Sequence, residues 1–210
     1  MTATSYPAEV TQITRRATGH DVPQLARVLA RAFEPDPVMA WFFPDESDRS
    51  ERLERMFGLV LLPKMALPHD ETYTTEVLAG AALWQPPGAY ETGPIEDAKL
   101  LPRMARVWGR GLPRALRGLL FMESIHPHEP HYYLPILGVD PEWQGHGIGA
   151  QLLRPVLDRC DSEGMPSYLE ATTPRSRALY LRNGFEVIEE VRFPGDGPPL
   201  WKMWREPATE

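Results

Sequence analysis

The sequence predicts an α/β protein built on a sheet of about seven strands, and three observations lead there. Segments of strand period and helix period alternate along the chain in the order βαα-ββ-α-βαβαββ, a pattern that layers helices against a sheet. An apolar run at Tyr132 to Val139 gives way to a glycine-rich turn and then at once to a helical pattern, the strand–loop–helix arrangement of an anion site. The chain has 210 residues, 42% hydrophobic and 24% charged, which suits one ordinary globule with a single substantial core. One domain over residues 1–210 is therefore expected.

Residues 12–17 read as the first strand. Asp21 opens a helix with Gln24 three positions on, in a capping-box-like arrangement. Val22, Leu25, Ala26, Leu29 and Phe33 share one face of it and belong to the core. Glu34-Pro35-Asp36-Pro37 stops this helix, because each proline disfavours α geometry in the residue before it. The aromatic stretch Val38-Met39-Ala40-Trp41-Phe42-Phe43-Pro44 follows; a short helix packed on the sheet accounts for it as well as a pocket wall does. Residues 47–67 read as a second helix with Leu53, Met56, Phe57, Val60 and Leu61 inward. Residues 70–76 and 77–85 read as an antiparallel pair, ended by Pro86-Pro87-Gly88, with Trp84 where the second strand leaves the sheet.

Residues 92–125 form a helical insert. Lys99, Arg103, Arg106, Arg110, Arg114 and Arg117 recur along it as a solvated basic face, broken by Gly109, Gly111 and Pro113. His126, His128 and His131 sit in a proline-rich loop with no regular scaffold to aim their rings, so no metal is expected. Beyond the glycine turn, Ile148, Leu152, Leu153, Val156, Leu157 and Cys160 mark a helix running to about Glu163. Pro155 inside it predicts a kink. A strand at 167–171 follows, then a helix from Thr173-Pro174 to the C-cap pair Asn183-Gly184. Strands at 185–193 and 199–205 flank the turn Pro194-Gly195-Asp196-Gly197.

Composition narrows the function classes. A net charge of −7 argues against a general nucleic-acid binder and mildly favours cationic partners. The single Cys160 allows no internal disulfide and fits a reducing, cytoplasmic compartment. The N-terminus lacks the apolar core of a signal peptide, and no apolar run is long enough to cross a membrane.

The chemistry concentrates in Gln144-Gly145-His146-Gly147-Ile148-Gly149-Ala150. Closely spaced glycines let backbone N–H groups converge, and the following helix adds unpaired donors and the positive end of its dipole. Together they suit a pyrophosphate. A dinucleotide fingerprint also fits Gly145-x-Gly147-x-x-Ala150, with Glu170 about twenty residues on as a ribose-binding acid. Against it, Asp140 to Gln144 separate strand from loop, and residues 151–210 are too few for the rest of a doubly wound sheet. A nucleotide-triphosphate loop is excluded, since no Gly-Lys-Ser/Thr follows.

Three segments taken together carry a resemblance: Gly138-Val139-Asp140-Pro141, then Gln144-Gly145-His146-Gly147-Ile148-Gly149, then Leu179-Tyr180-Leu181-Arg182-Asn183-Gly184-Phe185. They resemble the V-x-P strand end, the Q/R-x-x-G-x-G/A loop and the LY-x-x-x-GF segment of the GNAT superfamily of N-acetyltransferases. Arg15-Arg16-Ala17-Thr18 and Asp21-Val22-Pro23 resemble that family's first strand and helix. Leu169-Glu170-Ala171-Thr172-Thr173-Pro174-Arg175 and Trp201-Lys202-Met203 resemble its branch containing puromycin N-acetyltransferase and bacterial relatives. The resemblance implies a mixed, mostly antiparallel sheet of about seven strands, helices on both faces and the insert before the fourth strand.

It also implies acetyl-CoA as co-substrate. Leu137, Gly138 and Val139 would meet the pantetheine arm through backbone groups, where this strand splays from the next. Gln144, Gly145, His146, Gly147, Ile148, Gly149 and Ala150 would hold the pyrophosphate, with His146 equally readable as an exposed loop residue. Tyr180 stands where many relatives keep the acid that protonates the departing thiolate; a buried structural tyrosine is the other reading. Glu170 matches the family's glutamate in L-E-x-S/T, a base acting directly or through water, or else a carboxylate that only orients substrate. Ser176 would touch the CoA arm, while Thr173 stands where the family usually has asparagine. Glu34, Asp36, Trp41 and Trp84, with Phe42 and Tyr90, lie in segments that overhang the acceptor, expected to be a small molecule with a primary amine. A peptide amine as acceptor, and a non-catalytic acyl-CoA-binding module, are the alternatives. No nucleic acid, membrane or metal partner is expected, and the assembly is a monomer or homodimer.

Overall fold

A computed structural model of the protein describes residues 13–66, 71–89, 94–195 and 197–208, with backbone only at 64–66 and 94–100. Its strands are β1 (Thr14–Arg16), β2 (Thr72–Thr75), β3 (Gly80–Gln85), β4 (Tyr132–Val139), β5 (Ser167–Ala171), β6 (Glu186–Arg192) and β7 (Pro199–Arg205). They join one seven-stranded sheet in the order β1-β2-β3-β4-β5-β7-β6. All pairs are antiparallel except β4–β5. That parallel step needs a crossover, and α6 (Ile148–Glu163) supplies it.

Helices cover both faces. On one lie α1 (Val22–Phe33), α2 (Pro37–Phe42), α3 (Arg49–Met56), α4 (Pro94–Trp108) and α5 (Leu112–Ile125). On the other lie α6 and α7 (Pro174–Arg182). Strand alternation feeds both cores: Ala81 and Leu83 of β3 pack towards α1, while Ala82 and Trp84 pack towards α6. The sheet is thus a two-sided platform, as the resemblance implied.

Two local expectations need correction. Residues 47–67 are not one α-helix, because α3 passes into π-helical turns over Phe57–Ala66. The wider turn advances the inward face by a residue, so Leu62 is fully buried where Leu61 was expected. Asp21 does not cap α1 through its side chain. Its carboxylate turns back to accept from the Thr18 amide (2.8 Å) and from Arg15 (2.8 and 2.9 Å), interactions that hold its pKa well below the carboxylate range. Helix α6 runs from Ile148 to Glu163 with Pro155 inside it. In the insert, a 3₁₀ turn at Gly109–Gly111 divides α4 from α5. Its arginines at 103, 106, 110, 114 and 117 are exposed. Residues 12, 67–70, 92–93 and Asp196, parts of expected elements, lie outside the described residues.

Strand β4 does not run evenly through the sheet. Its register against β3 slips by one residue between the pairs Leu83↔Ile136 and Gln85↔Tyr133, the mark of a bulge. Tyr132 and Leu134 therefore face α6, whereas Ile136 faces α1. Pro135 sits in the slip and brings no N–H to either neighbour. Pairing with β5 stops at the same place: it spans Tyr132 to Leu134 against Ser167 to Leu169 and goes no further.

Candidate active site

The two central strands part beyond Leu134, which leaves residues 136–139 of β4 paired to β3 alone. Their other edge is open along a gap between β4 and β5. Gly138 lies there because α1 crosses close behind it: a Cβ would meet Leu29 at 2.6 Å and Phe33 at 2.9 Å. At the strand's end Asp140 is buried, accepts the Glu142 amide (3.1 Å) and pairs with Arg31 of α1, fixing where the glycine turn begins.

The turn itself is built by glycine conformations. Gly145 and Gly147 adopt φ of +87° and +80°, a region other residues reach only with strain. Gly147 is the N-cap of α6 and provides no side-chain cap, so the first N–H groups of a sixteen-residue helix point out unoccupied by side chains. Gln144 spans the mouth of the gap: its Nε2 donates to the Val139 carbonyl (3.0 Å), and its Oε1 accepts from Arg175 of α7 (2.6 Å). Ile148 is buried beneath the turn, whereas Gly149 is needed for packing, since a Cβ would press Leu179 at 3.0 Å. His146 is partly buried, with Nδ1 shielded and unpaired among the described residues. Ala150 lies in the first turn of α6. Ser176 completes a capping box for α7 with Thr173, whose N–H donates to Ser176 Oγ (3.2 Å) and whose hydroxyl accepts the Ser176 amide (3.1 Å).

At the far side of the gap three ionisable groups converge. Glu170 lies on β5, on the sheet face away from α6, with Tyr168 beside it and Tyr133 on β4. Tyr133 donates its hydroxyl to Glu170 Oε2 (2.9 Å). Among the described residues Glu170 Oε1 is shielded from solvent and makes no well-formed hydrogen bond, and the adjacent Tyr168 hydroxyl favours the carboxylate without one. Burial pushes the Glu170 carboxyl up to about 7, opposed by the tyrosine hydroxyls and Lys202. Tyr180 is buried on α7, edge-on to Phe185 at 5.9 Å. Its pKa is raised by burial and by the nearby carboxylates of Asp36 and Glu170, so it keeps its proton at neutral pH.

The remaining predicted residues are placed as follows. Asp36 is buried at the N-cap of α2. Its Oδ1 accepts from the amides of Val38 (2.9 Å) and Met39 (3.0 Å), and Oδ2 from Thr172 just past β5. Glu34 is exposed at the end of α1. Trp41 packs against Phe193 (5.0 Å) and Phe42 (5.2 Å), with the Arg114 guanidinium over its ring at 4.6 Å. Trp84 is fully enclosed in the α6-side core, across the sheet from Trp41, and does not reach the same space. Tyr90 lies outside the described residues. Tyr133, Thr172 and Phe193 escaped the sequence reading. Pro135, a proline in mid-strand, was the available sign of the split beside Tyr133.

Comparison with known proteins agrees with this geometry. The model of the acetyltransferase (GNAT) family matches residues 32–185. An uncharacterized N-acetyltransferase of Schizosaccharomyces pombe is 27% identical over 211 residues, covering 93% of this chain and 84% of that protein. The crystal structure of histone acetyltransferase HPA2 and related acetyltransferase from Corynebacterium glutamicum is similar, with a TM-score of 0.70 and 25% identity over 96% of this chain and 99% of that one. A PaiA N-acetyltransferase from Thermoplasma acidophilum, solved with coenzyme A, shares the fold at a TM-score of 0.57 and 13% identity, over 94% and 99% of the two chains. The family match spans most of the chain and includes the open strand edge, the glycine turn and Tyr180; the protein belongs to the GNAT family of acetyltransferases, whose acyl donor is acetyl-CoA.

Proposed function

We propose that this enzyme acetylates the primary amine of a small molecule, with Glu170 as base and Tyr180 as acid. The observation that carries the reading is the Glu170 carboxyl, poised near 7 with one oxygen held and the other unpartnered, beside a protonated tyrosine at the strand gap. The residues around the gap fit acetyl-CoA. An open edge at 137–139 can take an extended pantetheine arm, and the uncapped α6 N-terminus behind Gly145 and Gly147 can take phosphate. Leu137, Gly138 and Val139 would hold the first, and Gln144 to Ala150 the second. Bound there, acetyl-CoA supplies an activated thioester.

The protein's own groups then do the proton work. Glu170 Oε1 accepts a proton from the acceptor's ammonium, directly or across one water, freeing the nitrogen lone pair. As the C–N bond forms and the C–S bond breaks, Tyr180 gives its hydroxyl proton to the departing sulfur and takes up the second proton that the acylated nitrogen sheds. Both carboxylates nearby hold the hydroxyl proton on; once Glu170 has been neutralised, one of those charges is gone and Tyr180 becomes the stronger acid. Uptake at Glu170 thus favours release at Tyr180.

A small acceptor is supported by how the acceptor side is closed. Phe121 of α5 packs on Phe193 at 5.0 Å, Phe193 packs on Trp41, and Gly118 lets α5 approach Phe42, where a Cβ would stand 2.7 Å from the ring. The insert and the turn after β6 therefore lean on α2, which favours an enclosed aromatic pocket over a peptide groove. The test is competition at equal concentration among puromycin, an arylalkylamine, spermidine and a lysine-containing peptide, read as thiol release from acetyl-CoA. Puromycin belongs in the set because Leu169 to Arg175 and Trp201 to Met203 resemble that branch of the family. A peptide that exceeds every small amine tenfold in kcat/KM overturns the small-molecule reading.

A further inference from the structure

We infer that Tyr133 is a positioning residue for Glu170: its hydroxyl holds Oε2, fixes the carboxylate plane, and so reserves Oε1 for the proton taken from the acceptor. This rests on Glu170 being the base. Tyr133 comes from β4 and Glu170 from β5, and they meet because the strands are still paired at Tyr133↔Tyr168, just before the split. The 2.9 Å hydrogen bond joins two side chains 37 residues apart in sequence, across the last rung that ties the two halves of the sheet.

The ring is held as firmly as the hydroxyl. Tyr133 stacks on Tyr168 with centroids 5.9 Å apart at 28°, and His126 from the end of α5 meets it edge-on at 4.7 Å. A rigid phenol that donates to one carboxylate oxygen removes the rotation about the last side-chain bond that would otherwise exchange the two oxygens. The asymmetry is visible: Oε2 is bonded, whereas Oε1 is shielded and without a partner. A shielded carboxylate oxygen left so is costly unless a ligand proton reaches it.

The side chains that act on this carboxyl come from three strands: Tyr133 lies on β4, Tyr168 on β5 and Lys202 on β7. Its charge in turn acts on Tyr180 of α7, as does that of Asp36 at the start of α2. Tyr133, Tyr168 and Lys202 favour the ionised form and burial opposes it. Of these, Tyr133 alone makes a well-formed side-chain hydrogen bond to Glu170 among the described residues.

The experiment follows the Glu170 carboxyl carbon directly, by NMR titration of the full chain labelled at glutamate, with Glu170→Gln identifying the resonance. Wild type should titrate near 7. Tyr133→Phe keeps the ring and its stacking and deletes one donor to the charged form, so the midpoint should rise by roughly one to two pH units, the worth of a hydrogen bond to a charged group. Tyr168→Phe, which deletes the second hydroxyl favouring the charged form, should raise it as well. A midpoint unchanged in Tyr133→Phe overturns the inference. The base reading beneath it is tested separately: Glu170→Gln that keeps wild-type thiol release, with the best amine from the panel, overturns that reading whatever the titration shows.

Discussion

Replacing Glu170 by Gln should abolish most activity and yet stabilise the protein at alkaline pH, and the sign follows from the site. The Glu170 carboxyl titrates at about 7 in the folded protein against 4.5 in the reference state, because burial disfavours its charge. The folded state therefore binds the extra proton, and stability falls as pH rises from 4.5 to 7, then stays reduced above. A shift of that size corresponds to about 3 kcal/mol at pH 8. Gln copies the neutral acid in shape and still accepts from Tyr133, so the variant escapes this penalty. Whatever its amide costs is the same at every pH, and the difference between pH 8 and pH 4.5 isolates the charge. For a chain of this length that difference is roughly 6–12 °C in Tm, gained relative to wild type at pH 8. Activity moves the opposite way. A base of pKa near 7 is about a tenth ionised at pH 6 and nine-tenths at pH 8, so wild-type kcat/KM should climb about tenfold across that range at fixed ammonium concentration, and Glu170→Gln should lose the climb. Thermal melts at the two pH values and a pH–rate profile check both halves. A variant that is no more stable than wild type at pH 8, relative to pH 4.5, refutes the claim that a buried charge sits here.

Tyr180→Phe should lower kcat by roughly a hundredfold with KM for acetyl-CoA little changed, the pattern of a lost proton donor; steady-state kinetics beside a melt separates this from unfolding. Gly147→Glu places a side chain at φ +80° and a negative charge at the mouth of α6, so calorimetry should find coenzyme A binding lost. Gly138→Ala should cost about 1–3 kcal/mol in denaturant unfolding, because its methyl would collide with Leu29 and Phe33 of α1.

The glycine turn proposed to hold acetyl-CoA was legible because its geometry is local. Gln144 to Ala150 are consecutive, their glycines announce left-handed backbone, and the helix that gives them charge begins at the next residue. Tyr180 and Glu170 could be assigned roles only by resemblance, since nothing near either in sequence distinguishes it from a core tyrosine or a strand-end carboxylate. The acceptor side was poorly legible. Trp41 and Trp84 were grouped because both are aromatic and near turns, yet strand alternation sends Trp84 to the opposite face of the sheet. Asp36 looked like a free carboxylate beside aromatics; in the fold it is bonded to two amides and to Thr172.

By itself the sequence determined the order of strands and helices, the glycine turn and the helix that begins at it, because periodicity, proline and glycine act within a few residues of where they stand. Only the tertiary structure decided the sheet order with β7 between β5 and β6, the one-residue slip at Pro135, and the meeting of Tyr133 with Glu170, whose charge reaches Tyr180. Those depend on which strand lies beside which and in what register. A shift of one residue sends a side chain to the other face, and the pKa of Glu170 is set by burial beneath neighbours that are remote in the chain.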